Sequence, residues 1–420
     1  MNHNVKLAFL FSISQSIGRG VWMGNVLSVY IFAIAGNDPV ILGWTSFATG
    51  ITMTLVVFPT GFFIDKYRRD IVLKIASVVG VVALGFVLFG KDEIKFLVVA
   101  LVLWGLFQGM NRPSLESILA DSVESGKRSR VYSWLHLVRQ ISMSIGPFLN
   151  VGLFLIFGDE WDIQILKNVM IVGICITLFS LVIMLFFDDK KSLDASSESL
   201  DIEENHEYDD KRNGKHHRIS SSALITILLV GSNIIIGFGA GMTIKYFPIF
   251  FKEHEFYHLD PILVQVIMGL TAIFTGLASL VAQKFSVKRG RVQIIFTVQL
   301  IATLCLFAIA FFPPLFILVP IFITRGSLMN AAQPLSRSIL MDVVPKKHRG
   351  KVNSLEAFAW GFFWNFSALL GGYLIGSEPP YNFKLCFLVT ACVYLLGIIP
   401  ILFLTPLIGK EKIAEKEIQG

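Results

Sequence analysis

Charge is scarce in this chain. Asp, Glu, Lys and Arg make up 16% of its 420 residues, where a soluble domain averages about a quarter. So few charges cannot cover a water-facing surface of that length, which excludes a soluble globular fold. Cysteine is scarce as well. Cys175, Cys305, Cys386 and Cys392 all lie inside apolar runs. They have neither metal-ligand spacing nor the pattern of a disulfide framework, and read as small core residues. The chain also lacks a P-loop pattern, paired catalytic acids, a metal-spaced His/Cys set and a nucleophile motif. An enzyme and an ATP-driven machine are therefore not expected, and no cofactor is implied. A cleavable signal peptide is missing too: the first apolar run is too long and has no cleavage site, so it reads as a retained membrane helix.

Apolar residues, by contrast, are abundant. They form 54% of the chain, with 37 phenylalanines, a usage that lipid-facing helices allow. The net charge of +6 does not point to nucleic acid, because the basic residues sit in short clusters between apolar runs. That is a membrane-orientation pattern. A spanning helix needs about 20 mostly apolar residues. Twelve candidates run over 7–35, 39–63, 71–90, 94–120, 130–157, 166–187, 221–251, 260–284, 291–312, 314–343, 350–376 and 382–408. Only Pro313–Pro314 divides the ninth from the tenth, and adjacent prolines end a helix well.

Residues 188–220 are polar, Ser-rich and charged, with almost nothing to bury, and read as a mobile linker. The expected organisation is a six-helix bundle over 1–187, the linker 188–220, a second bundle over 221–408, and a tail over 409–420. Basic residues concentrate in alternate short loops: Lys66, Arg68 and Arg69; Lys127, Arg128 and Arg130; Lys284, Lys288, Arg289 and Arg291; Lys346, Lys347, Arg349 and Lys351. By the positive-inside rule both termini and the linker are cytoplasmic.

The halves repeat. Pro113, Ser117, Ile118, Leu119, Asp121, Arg128, Val131 and Ser133 recur 221 residues on as Pro334, Ser338, Ile339, Leu340, Asp342, Arg349, Val352 and Ser354, and Gly105 recurs as Gly326. Span four is thus related to span ten and span five to span eleven. Two bundles of like topology around a pseudo-twofold axis along the membrane normal form the parallel repeat of secondary transporters, with the solute site between them. The fold class is an all-α polytopic membrane protein of twelve transmembrane helices in two pseudo-twofold-related six-helix bundles.

Loop 2–3 reads Gly61-Phe-Phe-Ile-Asp65-Lys66-Tyr67-Arg68-Arg69-Asp70, and loop 10–11 reads Asp342-Val-Val-Pro345-Lys-Lys-His-Arg349-Gly350. Here the chain resembles the major facilitator superfamily over essentially its whole length. Gly61, Asp65, Lys66 and Arg69 match that family's loop 2–3 signature; Arg68 stands where a glycine is usual and Asp70 where a base is usual. The resemblance implies that Asp65, Lys66 and Arg69 brace the cytoplasmic gate. Gly61 is expected to let two helices approach closely. The counterpart in the second half, near Ser279, Gln283 and Lys284, is degenerate. Gly146-Pro147 partly resembles the fifth-helix signature of the drug–proton antiporter branch, and reads equally as a packing kink. That branch's fourth-helix arginine is Gly105 here, and helix 1 has no acid.

Ionisable residues within spans are costly and default to functional hypotheses. Arg19, Arg112, Arg139, Lys245 and Arg325 are the candidate substrate-binding cations, since guanidinium groups pair well with carboxylate and phosphate. In the resembled family helices 1, 4, 7 and 10 line the cavity. The alternative is local pairing or snorkelling, above all for Lys245 near the outer end of its helix. The repeat offset carries Glu116 onto Arg337, which suggests a gate bridge between the halves in the outward-facing state. Its rival is a local Arg112–Glu116 pair, with Glu356 serving Arg337. Glu116, Glu356 and His136 are the candidate proton-coupling groups. The aromatic run Trp360, Phe362, Phe363, Trp364 and Phe366 reads as a packed or lipid-facing cluster, with stacking on a planar substrate as the alternative.

The reading is a secondary active transporter of a small organic solute, an organic anion by preference, working by alternating access with protons as coupling ion. Its partners are solute, proton and lipid bilayer, not nucleic acid, and it is expected to act as a monomer. A multidrug efflux antiporter is the alternative within transport. A non-transporting receptor or scaffold is the alternative of another class.

Overall fold

The computed structural model describes residues 2–66, 68–123, 128–192, 221–344 and 346–408. Among them the chain is all-helical. The helices are α1 His3–Trp22, α2 Asn25–Ile34, α3 Pro39–Lys66, α4 Arg69–Phe89, α5 Ile94–Asp121, α6 Arg128–Phe157 and α7 Ile163–Met184, then α8 Ser221–Thr243, α9 Phe247–Glu253, α10 Pro261–Arg289, α11 Arg291–Ile309, α12 Leu315–Val343, α13 Lys346–Ile375 and α14 Phe383–Ile408. Eleven of the described helical segments are long and apolar enough to cross a membrane, and α13 adds a shorter apolar stretch, Gly361–Ile375. Helices suit this setting because every interior backbone N–H and C=O is satisfied within the segment. Local chemistry marks their starts. Asp162 caps α7 by accepting from the N–H groups of Gln164 and Ile165, and Pro261 stands at the first turn of α10, where its missing N–H costs nothing.

Two apolar runs that read as single helices are broken. Span 1 is interrupted at Met23–Gly24, between α1 and α2. Span 7 is interrupted by a 3₁₀ turn at Ile244–Tyr246, between α8 and α9. The second break has a plain cause. Pro248 cannot donate to the carbonyl of Ile244 and its ring crowds that oxygen, so the helix stops and restarts. The breaks fall at equivalent places, since the offset of 221 carries Met23 and Gly24 onto Ile244 and Lys245.

Each bundle is held by backbone crossings with almost no side chain between them. Gly20 of α1 lies on Gly146 of α6: a methyl group added at Gly146 would stand 2.4 Å from the Gly20 carbonyl carbon. On its other side α1 meets α7, where the same addition at Gly18 would stand 2.3 Å from Thr177 Oγ1 and 2.9 Å from the Gly173 carbonyl. The offset of 221 maps Gly20 and Gly146 onto Gly241 and Ser367, and Gly18 and Gly173 onto Gly239 and Tyr394. Both pairs are again in contact, Gly241 against Ser367 Oγ and Gly239 against the Tyr394 ring. Gly146-Pro147 is thus a packing element against α1.

The linker begins in an ordered way. Asp189–Lys191 forms a 3₁₀ turn. Asn4 Nδ2 donates to the Asp188 carbonyl at 2.9 Å and to Ser122 Oγ at 3.1 Å. Residues 193–220 and the tail from 409 lie outside the described residues. All four cysteines are free; Cys386 is buried, whereas Cys175 and Cys392 are exposed, which corrects the reading of all four as core.

At the opposite end from the termini, Asp92 in the turn between α4 and α5 accepts from Tyr30 at 2.6 Å and pairs with Lys167 at 2.7 Å, fastening α2 to α7. Burial alone would raise this carboxyl, but the bonds from Lys167 and Tyr30 and the charge of Lys167 outweigh it and hold it below the usual carboxylate range. A depressed folded-state pKa contributes stability that is fully present above the unfolded value of about 3.9 and is lost as pH falls through the folded value. Asp92→Asn is expected to lower the melting temperature at neutral pH and to flatten its fall on the acid side, read by a thermal-unfolding series in detergent. In the same assay Gly146→Leu is expected to cost about 1–3 kcal/mol through overpacking, while Gly152→Ala, which has open space around it, leaves the melting temperature unchanged.

Candidate functional site

The halves meet along two seams, α3 on α13 and α6 on α10. In the first, a methyl at Gly43 would stand 2.8 Å from Leu369 Cα, and Gly50 lies against Asn365. The Tyr246 hydroxyl donates to the Ala368 carbonyl at 2.6 Å and lies 3.3 Å from that of Pro39. In the second, Trp161 donates to the Leu259 carbonyl at 2.7 Å, and Asp159 accepts from the Ile262 N–H at 2.8 Å. Tyr381 donates to the Asn37 carbonyl at 2.6 Å. These contacts gather at the end away from the termini and close it. α5 and α12 are not among the packed pairs, and their residues Arg112, Glu116, Gln333 and Arg337 are exposed. The space between the halves therefore opens toward the terminus-bearing end.

The aromatic residues of α13 belong to the first seam. Phe358, Phe362 and Phe366 stack at helical spacing, with centroids 6.4 and 6.0 Å apart. Phe358 meets Phe58 at 5.3 Å and Phe366 meets Phe47 at 5.9 Å, both across the seam on α3. Phe363 and Phe366 also pack on Phe238 of α8. The side chain of Trp360 lies outside the described residues.

Cations gather on the first-half wall. Arg139 Nε donates to Ser12 Oγ of α1 at 3.2 Å. Arg112 pairs with Glu116 one turn on at 3.4 Å, both largely solvated at 64% and 48% exposure. Arg112 is close enough to act electrostatically on both Arg19 and Arg139, and Glu116 acts on Arg139. The Nε of Arg19 and the Oδ1 of Asn111 are buried with no hydrogen-bond partner among the described residues. One described carboxylate, Glu116, thus serves Arg112 and Arg139, and Arg19 has Arg112 as its charged neighbour.

The second half differs. Lys245 does not snorkel outward: it sits in the break of span 7, half-buried, and its Nζ donates to Asn365 Oδ1 at 2.9 Å. Arg325 faces away from the central space. It is 4% exposed, inside the second bundle. There it donates to the Tyr394 hydroxyl at 2.9 Å and stacks over Phe247 at 4.9 Å. The first-half counterpart of Arg325 is Trp104, which packs edge-on against Trp22 at 5.2 Å.

The loop signature is built around Arg69, whose guanidinium pairs with Asp121 at the end of α5 and reaches Asp189 at 4.0 Å. Arg68 pairs with Asp70 at 2.8 Å and with Asp188 at 3.4 Å. The second half keeps this arrangement: Arg291 pairs with Asp342 at 2.6 Å, and Asp342 is Asp121 carried by the repeat offset. The degenerate stretch near Ser279 hid this pair, because the base stands one residue out of register. Gly61 does not mark a close approach here, since there is open space around it. The end it would close is the open one. The side chains of Asp65, Lys66, His136 and Glu356 lie outside the described residues.

Sequence and fold comparisons agree with this architecture. The profile described as Major Facilitator Superfamily matches residues 7–324 and 229–419. Nothing among the curated proteins matches the chain. A bacterial homologue of the iron transporter ferroportin, solved inward-facing, is similar with a TM-score of 0.70 at 14% identity, covering 95% of this chain and 98% of its own. The nucleoside transporter NupG is similar with a TM-score of 0.68 at 13% identity, covering 96% and 98%. A D-xylose–proton symporter is similar with a TM-score of 0.72 at 12% identity, covering 97% and 98%. At such identities the likeness is one of fold. The profile match over most of the chain settles the family: this is an integral membrane transporter of the major facilitator superfamily, not an enzyme.

Proposed function

We propose that the chain carries a small organic anion by alternating access, coupled to protons, with the terminus-bearing end cytoplasmic. The observation that carries this reading is the first-half wall, which holds Arg19, Arg112 and Arg139 against one described ion pair, Arg112–Glu116, and where Arg19 keeps a buried, unpartnered Nε. An anionic head that accepts from these groups satisfies both the charge and the open donor. Neither a metal cargo nor drug efflux gains support. Among the described residues no group of three or more His, Cys, Asp or Glu stands together, and Gly146-Pro147 is occupied in packing α1. Arg325, enclosed by Tyr394 and Phe247, is a structural cation in this reading.

Thermal stabilisation of the purified protein tests the substrate class. Benzoate, succinate and phenyl phosphate are compared with a lipophilic cation, a nucleoside and a sugar. At a hundredfold excess over Kd a ligand stabilises by about 2.7 kcal/mol. Anions alone are expected to do so, and Arg112→Ala or Arg19→Ala to remove the effect. Stabilisation by the cation and not by the anions would transfer the case to a multidrug exporter.

The gate follows from the same wall. With the terminus-bearing end open, Glu116 rests on Arg112 while Arg337 is exposed on α12. When that end closes, Glu116 exchanges Arg112 for Arg337 and bridges the halves. Glu116→Arg is then expected to abolish transport in proteoliposomes, and Arg337→Glu in the same chain to restore part of it. No rescue by the double reversal would sink the bridge.

A further inference from the structure

An ammonium group whose one described partner is a neutral amide is an unfinished ion pair. Lys245 Nζ donates to Asn365 Oδ1 at 2.9 Å, and Asn365 is itself fixed by donating through Nδ2 to the Gly361 carbonyl at 2.8 Å. The elements packed around the break supply no carboxylate paired with Lys245 among the described residues; Asp38, just before α3, accepts from the Val40 N–H. On α2 the titratable group is Tyr30, committed to Asp92. On α9 Lys252 and Glu253 pair with each other. On α14 Cys386 donates to the Met242 carbonyl. Tyr246, next in sequence, is taken up by Ala368 and Pro39, and Tyr373 of α13 meets Trp44. The charges of α3, Asp65 and Lys66, and Glu356 of α13 stand turns away along their helices. α8 carries no titratable residue. Glu116, by contrast, is solvated and already paired.

We infer that Lys245 takes up the coupling proton together with the substrate's acidic group, so that proton and anion bind as a pair beneath the closed end. This rests on the organic-anion reading above. A proton from the cavity water converts the amine to an ammonium. The anion completes the ion pair that Asn365 leaves open. When the halves rock, both leave on the other side and the amine returns. Lysine can cycle in this way and the arginines cannot, because guanidinium keeps its proton. By linkage each ligand strengthens the binding of the other.

The test uses whichever of benzoate, succinate and phenyl phosphate binds wild type most tightly, with affinity read from about pH 6 to about pH 10. Wild-type affinity is expected to fall about tenfold per pH unit once the amine is neutral. Lys245→Arg is expected to bind without that fall, and in proteoliposomes to exchange labelled anion while losing accumulation driven by a pH gradient. Asn365→Asp supplies the missing carboxylate and is expected to move the fall to higher pH; it decides the matter where Lys245→Arg does not fold. If Lys245→Arg keeps the wild-type pH profile or its proton-driven accumulation, or if Asn365→Asp leaves the profile in place, the inference is overturned and the anion reading stands. If wild type binds none of the three anions, both fall.

Discussion

Two helix backbones can touch only where a side chain is missing, and in a bilayer such contact replaces the hydrophobic drive that water supplies elsewhere. The meeting of Gly20 with Gly146 is that contact in the first bundle. It fixes α1 against α6, and with Gly18 on Thr177 and Gly173 it fixes α1 against α7 as well. The second bundle solves the same problem at Gly241 and Ser367. Once α1 and α8 are set, the walls of the central space and the two seams between the halves follow.

On this shared scaffold the two walls carry unlike chemistry. Arg112 and Glu116 of α5 correspond to Gln333 and Arg337 of α12. Arg19 corresponds to Ala240, and Gly24 to Lys245. The bundle cores diverge too: the place of Trp104 beside Trp22 is taken by Arg325 among Tyr394 and Phe247. Divergence kept the crossing glycines of α1 as Gly239 and Gly241 of α8, and changed their partners Gly146 and Gly173 to Ser367 and Tyr394, along with positions that face a cavity or can be refilled by another large side chain.

The spans, the repeat and the family were legible in the sequence because each rests on length, composition or a fixed offset. Three features were not. The break of span 7 lies inside an apolar run, although Pro248 gives a local signal for it. Arg325 lies on a helix that lines the cavity, but that helix is apolar on most sides, so periodicity does not say which face a lone cation takes. The arginine clamp depends on Asp121 and Asp189, 52 and 120 residues from Arg69 in sequence, and only the fold brings them together. The close helix approach expected at Gly61 is absent in a molecule open at that end.

The paired interruptions of spans 1 and 7 divide each long helix unequally. Beyond the breaks, α2 has 10 residues and α9 has 7, lengths of about 15 and about 10 Å at the helical rise. These stubs rest on each other and carry Tyr30, Lys252 and the neighbour of the Tyr246 latch. A short stub joined to its parent helix by an unwound turn can swing while the parent stays packed. The glycine crossings of α1 and α8 then need not be undone each time the closed end parts. The cost of such a swing falls on the stubs' own packing, since Phe32 of α2 and Phe250 and Phe251 of α9 are fully buried.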